Sequence, residues 1–165
     1  MSVSTTSIKP ECEKIYASDL GKELTENECQ VLAGVMTASR FTDGEILTNQ
    51  GDKNSALYVL IDGKLDVLGE SEGQEVKVYT MAPGECSGTR AFIDRKLRMA
   101  TVRSVGDTTV YILEPDDFET LLDSHPRIVY KVMRSIFRIT HNNLMKMNQQ
   151  SQQLSNYISK TGGRY

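Results

Sequence analysis

Residues 83–104 read PGECSGTRAFIDRKLRMATVRS and form the most informative stretch of the sequence. A glycine, Gly88, precedes a short apolar turn, a charged loop, and Arg98 at the start of an apolar run. Backbone N–H groups at the start of a helical turn can point at an anion, and an arginine on the next strand can bind that anion through two parallel hydrogen bonds. Taken singly, Gly88 fits a turn and Arg98 fits a surface position. Together, at this spacing, they favour an anion site.

The surrounding region, about residues 40–113, has the pattern of short β-strands. Apolar residues alternate with others at 57–61 and again at 65–67, and Asp62-Gly63 stands between the two runs as a predicted hairpin turn. Glycines at 44, 63, 84 and 106 have the spacing of successive hairpins. Many short strands with regular turns predict a sandwich, a jelly roll or a barrel.

Helices are predicted on both sides of the β-region. Apolar residues recur at helical spacing over 18–38, and Thr25 followed by Glu28 fits a capping box, which marks a helix start. A short helix is predicted over 116–122 and ends before Pro126. A long helix is predicted over 127–158, a stretch without Gly or Pro.

The long helix carries an apolar stripe with the alternating three- and four-residue spacing of a coiled coil. A single domain of this size cannot easily cover a helix of roughly 45 Å. We therefore expect a homodimer through this helix, and the alternative is a helix packed on its own domain. The stripe consists of Tyr130, Met133, Phe137, Thr140, Leu144, Met147, Ser151, Leu154 and Ile158.

The stretch 83–104 resembles the phosphate-binding cassette of cyclic-nucleotide-binding domains, which occur in catabolite-activator-type bacterial regulators and in regulatory subunits of cyclic-nucleotide-dependent kinases. Segments 41–45, 50–52 and 56–63 also resemble the opening strands and turns of that family, so the resemblance covers about 20–147. It implies a mainly β fold with flanking helices, a jelly roll or β-roll, with cAMP or cGMP as the ligand and no required cofactor. The family pattern, roughly Gly-Glu-x-Ala-Leu, a loop and Arg-x-Ala-Thr-Val, is matched by Gly88, Ala91, Arg98, Ala100, Thr101 and Val102.

One cassette position departs from the family. The family has a glutamate after the glycine, which accepts a hydrogen bond from the ribose 2′-hydroxyl, whereas this chain has Thr89. A threonine hydroxyl can accept but is shorter and uncharged, and losing a charged hydrogen bond costs about 1.5–3 kcal/mol. Arg90 adds a positive charge that faces either solvent or a second phosphate.

The family also places polar residues along its long helix to contact the base. Asn142 and Asn143 lie at about that distance, although a polar residue in a coiled-coil stripe can instead fix the register. The binding residues that the resemblance implies are Gly88, Thr89, Arg90, Ala91, Arg98, Met99 and Asn143.

Charge is divided unevenly along the chain. Residues 124–165 hold seven of the 19 basic side chains and none of the 22 acidic ones. A basic tail can bind nucleic acid or an anionic membrane, but a basic helix lying against its own acidic domain is the simpler interpretation. No helix-turn-helix follows the long helix, so we expect no direct DNA binding, and no apolar run is long enough to span a membrane.

No catalytic arrangement of Ser, Cys, His or paired carboxylates stands out, so we expect no enzyme activity. Three cysteines without disulfide or zinc spacing, and no signal peptide, indicate a cytoplasmic protein. The predicted organisation is an N-terminal tail (1–17), a β-roll with its N-terminal helix (18–124), a dimerisation helix (125–158) and a tail (159–165). The predicted function is a stand-alone cyclic-nucleotide sensor that moves its C-terminal helix toward an unknown protein partner. The alternative is a degenerate domain that no longer binds nucleotide and serves as a dimeric scaffold.

Overall fold

The computed structural model describes residues 8–162. Its strands are β1 (Thr37–Phe41), β2 (Ile46–Thr48), β3 (Leu57–Ser71), β4 (Gln74–Met81), β5 (Cys86–Ser87) and β6 (Thr101–Leu113). These six strands form one antiparallel sheet in which β1, β6, β3 and β4 lie in that order, while β2 pairs with β6 and β5 pairs with β3. The helices are α1 (Cys12–Ala17), α2 (Glu26–Val35), α3 (Thr89–Asp94), α4 (Pro115–Glu119), α5 (Leu121–Ser124) and α6 (Pro126–Thr161). The sheet with its flanking helices has the β-roll architecture that the sequence predicts.

The first half of β3 is buried on both faces because two cores meet there. Leu57 and Val59 belong to the core shared with the helices, whereas Tyr58 and Leu60 belong to the core inside the roll. Successive side chains of a strand point to opposite faces, so this run of apolar residues serves both cores. The strand therefore connects the helical layer to the interior of the roll.

The predicted hairpin turn at Asp62-Gly63 is wrong. β3 continues through these residues and pairs with β6 on both sides of them, with register shifts that mark β-bulges. Gly63 has a φ of +93°, and a β-carbon there would lie 2.5 Å from the carbonyl oxygen of Asp107. A glycine is thus needed for a bend within a long strand, where the Asp-Gly pair suggested a chain reversal. The hairpin is instead made by Glu72 and Gly73, whose φ values of +53° and +76° fit a two-residue type I′ turn.

The predicted helix over 18–38 is shorter in the structure. The helix start predicted at Thr25 is confirmed, because Thr25 and Glu28 form the expected capping box at the beginning of α2. Upstream, the chain turns at Gly21, where a β-carbon would lie 2.2 Å from the carbonyl oxygen of Ile15. Ile15 is buried in helix α1, which lies within the range that the sequence assigned to the N-terminal tail. Downstream, residues 37 and 38 already belong to β1, which pairs with β6.

The long helix is confirmed as α6, which has 36 residues. Among residues 8–162, the buried side chains of α6 all lie in its first part, at Ile128, Val132, Ser135 and Ile136. Ion pairs hold that part to the N-terminal helical segment: Lys131 to Glu28 at 2.6 Å, and Arg134 and Arg138 to Glu23 at 3.4 and 3.3 Å. The basic helix thus lies against acidic side chains of its own domain. Within the described part of the chain, no helix is both long and apolar enough to cross a membrane.

Candidate functional site: the loop from Gly88 to Arg98

Gly88 begins the site with a left-handed backbone. Its φ is +88°, and it caps the short helix α3 directly after β5. A β-carbon at this position would lie 2.0 Å from Nη1 of Arg98 and 3.0 Å from the carbonyl oxygen of Ala56. The first amides of α3, those of Thr89, Arg90 and Ala91, have no helical acceptor. A glycine is therefore required both by the turn and by the approach of the arginine.

Arg98 is held by its backbone beside this turn. Its N–H donates to the carbonyl oxygen of Asp52 at 2.9 Å, and its own carbonyl accepts from the N–H of Gly51 at 2.8 Å. The sequence segment 50–52, which resembles a family turn, therefore anchors the loop that carries the arginine just before β6.

The guanidinium of Arg98 is buried, with 5% of the residue exposed. Its Nη2 donates to the carbonyl oxygen of Ala56 and to Oδ1 of Asn54, and the group lies 5.0 Å from the ring centroid of Tyr58. Its Nε is buried and has no hydrogen-bond partner among residues 8–162. Burial lowers the pKa of Arg98 below its ordinary value, and the neighbouring Tyr58 opposes that shift. An arginine still stays protonated at neutral pH, so the site keeps one buried positive charge.

The other cassette residues surround this pair. Ala91 is buried and faces the core, whereas Thr89 is half-buried. Arg90 and Met99 are exposed, and Nη1 of Arg90 lies 2.9 Å from the sulfur of Met99. The structure therefore brings Gly88, Thr89, Arg90, Ala91, Arg98 and Met99 together in one loop.

Asn143 is not brought to this loop. It is exposed on α6, in the part of the helix where no residue beyond Ile136 is buried. No hydrogen bond or ion pair among residues 8–162 joins it to the cassette.

Asn54 and Tyr58 also belong to the site, although the sequence did not predict them there. Asn54 lies 44 positions before Arg98 and outside the segments that resemble the family, whereas Tyr58 lies within segment 56–63 but outside the cassette. The pairing of β3 with β5 places Tyr58 opposite Ser87, next to Gly88, and a hydrogen bond from Nη2 of Arg98 joins Asn54 to the same place.

Glu85 is the acidic residue nearest to Thr89 in the sequence, and it is engaged outside the cassette loop. Both carboxylate oxygens of Glu85 accept from the hydroxyl of Tyr79 at 2.7 Å, and this hydrogen bond raises the pKa of Tyr79 to about 12. Glu85 is therefore engaged on β4 and does not replace the carboxylate that Thr89 lacks. Within 8–162, no three His, Cys, Asp or Glu side chains are grouped as metal ligands.

A family model described as "Cyclic nucleotide-binding domain" matches residues 38–125. The chain belongs to this family. The match begins in β1 and ends after α5, so the Gly88–Arg98 loop lies within the cyclic nucleotide-binding domain. This confirms the resemblance that the cassette residues carried.

Solved structures show the same fold. A cyclic nucleotide-binding domain from Methylobacillus flagellatus superposes with a TM-score of 0.76 at 18% identity, over 84% of this chain and 79% of that one. The regulatory domain of Toxoplasma gondii PKA, solved with cAMP, superposes with a TM-score of 0.60 at 26% identity, over 66% of this chain and 42% of that one.

Among curated proteins, the chain is 27% identical over 127 residues to a Rhodopseudomonas palustris protein named as a potassium channel protein. That match covers 76% of this chain but only 30% of the channel protein. The chain therefore spans less than a third of the length of this relative.

Proposed function

We propose that this regulatory domain binds cAMP or cGMP in its cassette and relays binding through α6 to a protein partner. The observation that carries the proposal is the buried Nε of Arg98, which has no partner among the described residues and lies beside the left-handed Gly88. The ligand contacts that we propose are Gly88, Thr89, Arg90, Ala91, Arg98, Met99 and, on α6, Asn143.

The chemistry of the site supports a phosphate ligand. A buried donor without an acceptor costs free energy, and a phosphate oxygen would restore the missing bond. A hydrogen bond to a charged group contributes about 1.5–3 kcal/mol, which is roughly one to two decades of affinity. The Toxoplasma regulatory domain, which shares this fold, was solved with cAMP.

Isothermal titration calorimetry with cAMP and cGMP tests this proposal. We expect binding by the wild type and a loss of at least tenfold in Arg98→Ala. Arg103→Ala is the matched control, because Arg103 follows Arg98 closely in the sequence, on β6, but pairs with Glu75 on the surface. If neither nucleotide binds below millimolar concentration, the proposed function is wrong.

A packed route leads from the cassette to α6. Phe92 of α3 contacts Phe118 of α4 with ring centroids 5.5 Å apart, and both belong to the core that includes Ile128 and Val132 of α6. Ligand contacts at the start of α3 would therefore act on the base of the long helix. Hydrogen–deuterium exchange with and without cAMP measures this relay, and unchanged protection throughout α6 would contradict it.

We further propose that α6 forms a homodimer. Its predicted stripe lies on the surface, with Phe137 72% and Leu144 54% exposed, and exposed stripes of this size mark interaction sites. A second copy offers the same stripe, and a parallel pair would cover both. Asn143 would then lie beside the stripe, where it contacts either the base of a ligand or the partner helix.

One observation favours a second candidate function. Thr89 cannot supply a carboxylate, and Glu85 is engaged with Tyr79, so the site lacks the acidic group of the family. A domain of this kind could be kept as a dimeric scaffold that no longer binds nucleotide. In either case we propose a protein without enzyme activity or required cofactor. We also propose a cytoplasmic location, which its three free thiols support.

A further inference from the structure

The side-chain amide of Asn54 forms hydrogen bonds with three groups. Its Oδ1 accepts from the N–H of Ala56 at 2.8 Å and from Nη2 of Arg98 at 3.3 Å, while its Nδ2 donates to the hydroxyl of Tyr58 at 2.9 Å. Donors on the oxygen side and an acceptor on the nitrogen side fix the orientation of the amide. Asn54 therefore joins the backbone before β3, the Tyr58 ring and the guanidinium in one network.

This network binds one terminal nitrogen of the Arg98 guanidinium and leaves the inner nitrogen, Nε, without a hydrogen bond in the described part of the chain. Nη2 is occupied by the carbonyl oxygen of Ala56 and by Asn54, and the ring of Tyr58 lies 5.0 Å from the group. Nε has no partner among residues 8–162 and is buried. The arginine is thus fixed by protein contacts at a terminal nitrogen, while its buried inner nitrogen has no partner among residues 8–162.

We propose that Asn54, together with Tyr58, is a positioning residue that presents Arg98 to the phosphate of the ligand. The inference rests on the proposed function, because it assigns how the cassette holds its charged group ready. An arginine without these contacts would have many rotamers and would lose that freedom on binding. A preorganised arginine binds the phosphate more tightly, because its side chain loses rotamer freedom during folding and not on binding.

Two substitutions at position 54 separate positioning from a structural role. Asn54→Ala removes all three hydrogen bonds, and we expect cAMP to bind roughly tenfold more weakly, the equivalent of one charged hydrogen bond. Asn54→Asp keeps the shape and the acceptor for the N–H of Ala56, but its carboxylate pairs with Arg98 and repels a phosphate. We therefore expect Asn54→Asp to bind cAMP more weakly than Asn54→Ala while its melting temperature stays closer to that of the wild type.

Calorimetry with cAMP on the wild type, both variants and the neighbouring control Ser55→Ala gives the decisive comparison. If Asn54→Asp binds like the wild type, Asn54 acts only on the loop structure and the positioning role is wrong. Equal binding by Asn54→Ala and the wild type, with loss in Arg98→Ala, also overturns it.

A measurement without ligand keeps this inference separate from the proposed function. The Nε–Hε signal of Arg98 in ¹⁵N NMR spectra reports how firmly the guanidinium is held. We expect a resolved, slowly exchanging signal in the wild type and in Ser55→Ala, and a signal averaged by motion in Asn54→Ala. An unchanged signal in Asn54→Ala overturns the positioning role, whereas absence of cAMP binding by the wild type contradicts only the proposed function.

Discussion

Nη1 of Arg98 lies so close to the backbone of Gly88 that a β-carbon on residue 88 would sit 2.0 Å from it. We expect Gly88→Ala to displace the guanidinium, since the carbonyl oxygen of Ala56 would be only 3.0 Å from the same new atom. A side chain at this φ also costs about 1–3 kcal/mol of backbone strain. Calorimetry with cAMP and chemical denaturation should therefore show both weaker binding, by tenfold or more, and lower stability.

Gly44→Ala is the control for the backbone strain that a side chain causes at a positive φ. Gly44 has a φ of +81°, but a β-carbon there would meet no atom within 4 Å. This variant should lose comparable stability and keep its nucleotide affinity. Equal affinities of the two variants would show that contact between Gly88 and Arg98 does not matter for binding.

The neutral side chain of Thr89 predicts weak discrimination at the ribose. We expect cAMP and 2′-deoxy-cAMP to bind the wild type within about threefold of each other, because a threonine hydroxyl makes an uncharged hydrogen bond. Thr89→Glu should raise the affinity for cAMP by about tenfold and leave that for the deoxy nucleotide unchanged. Calorimetry on both proteins measures the four affinities.

The matched control is Thr89→Gln, which is as long as glutamate but uncharged. If the wild type already discriminates against 2′-deoxy-cAMP by tenfold or more, the ribose is recognised by another group. If wild type fails to bind while Thr89→Glu binds, the scaffold interpretation is favoured.

The exposed stripe of α6 predicts the oligomeric state. Phe137→Asp combined with Leu144→Asp should convert a dimer into a monomer whose β-roll stays folded, because burying each side chain contributes about 1.5–3 kcal/mol per copy. Light scattering should give a mass near twice 18.4 kDa for the wild type and near 18.4 kDa for the variant.

Gln149→Asp with Asn156→Asp adds the same charge to α6 outside the stripe. This control should remain dimeric. A wild-type mass near 18.4 kDa would refute the dimer.

The ion pair between Glu28 and Lys131 predicts a pH dependence of stability. The hydrogen bond from Lys131, followed by that from the N–H of Thr25, lowers the pKa of Glu28 below its ordinary value. A carboxylate with a lowered folded-state pKa stabilises the fold above its unfolded pKa, about 4.3, and this stabilisation is lost as pH falls through the folded value. Chemical denaturation should show that Lys131→Met is less stable than the wild type at pH 7, and that the difference shrinks below pH ~4.

Lys22→Met is the control, because Lys22 pairs with Asp19 on the surface with 60% of its side chain exposed. Exposed pairs contribute little, so this variant should stay within about 0.5 kcal/mol of the wild type at both pH values. A stability difference for Lys131→Met that is the same at pH 7 and pH 3 would contradict the assignment.

Local chemistry made some elements predictable from the sequence, and tertiary pairing decided others. The capping box at Thr25 and Glu28 acts within one turn of helix, so it could be found without knowledge of the fold. Asp62-Gly63 has the same local chemistry in a hairpin and in a bulge, and only the continued pairing with β6 separates the two. Gly88 and Arg98 were predictable because the cassette is short in sequence. Asn54 was not, since its partner lies 44 positions away.

The second half of α6 differs from the first half in its packing. From residue 140 to residue 162 every side chain is exposed, so this segment has almost no tertiary packing to stabilise it. In proteins most of the stability of a helix comes from tertiary packing rather than from helix propensity. Its helical content therefore reports whether something covers the stripe. Dilution should reduce the circular-dichroism signal of the helix before the β-roll unfolds, and helicity becomes a concentration-dependent property of the chain.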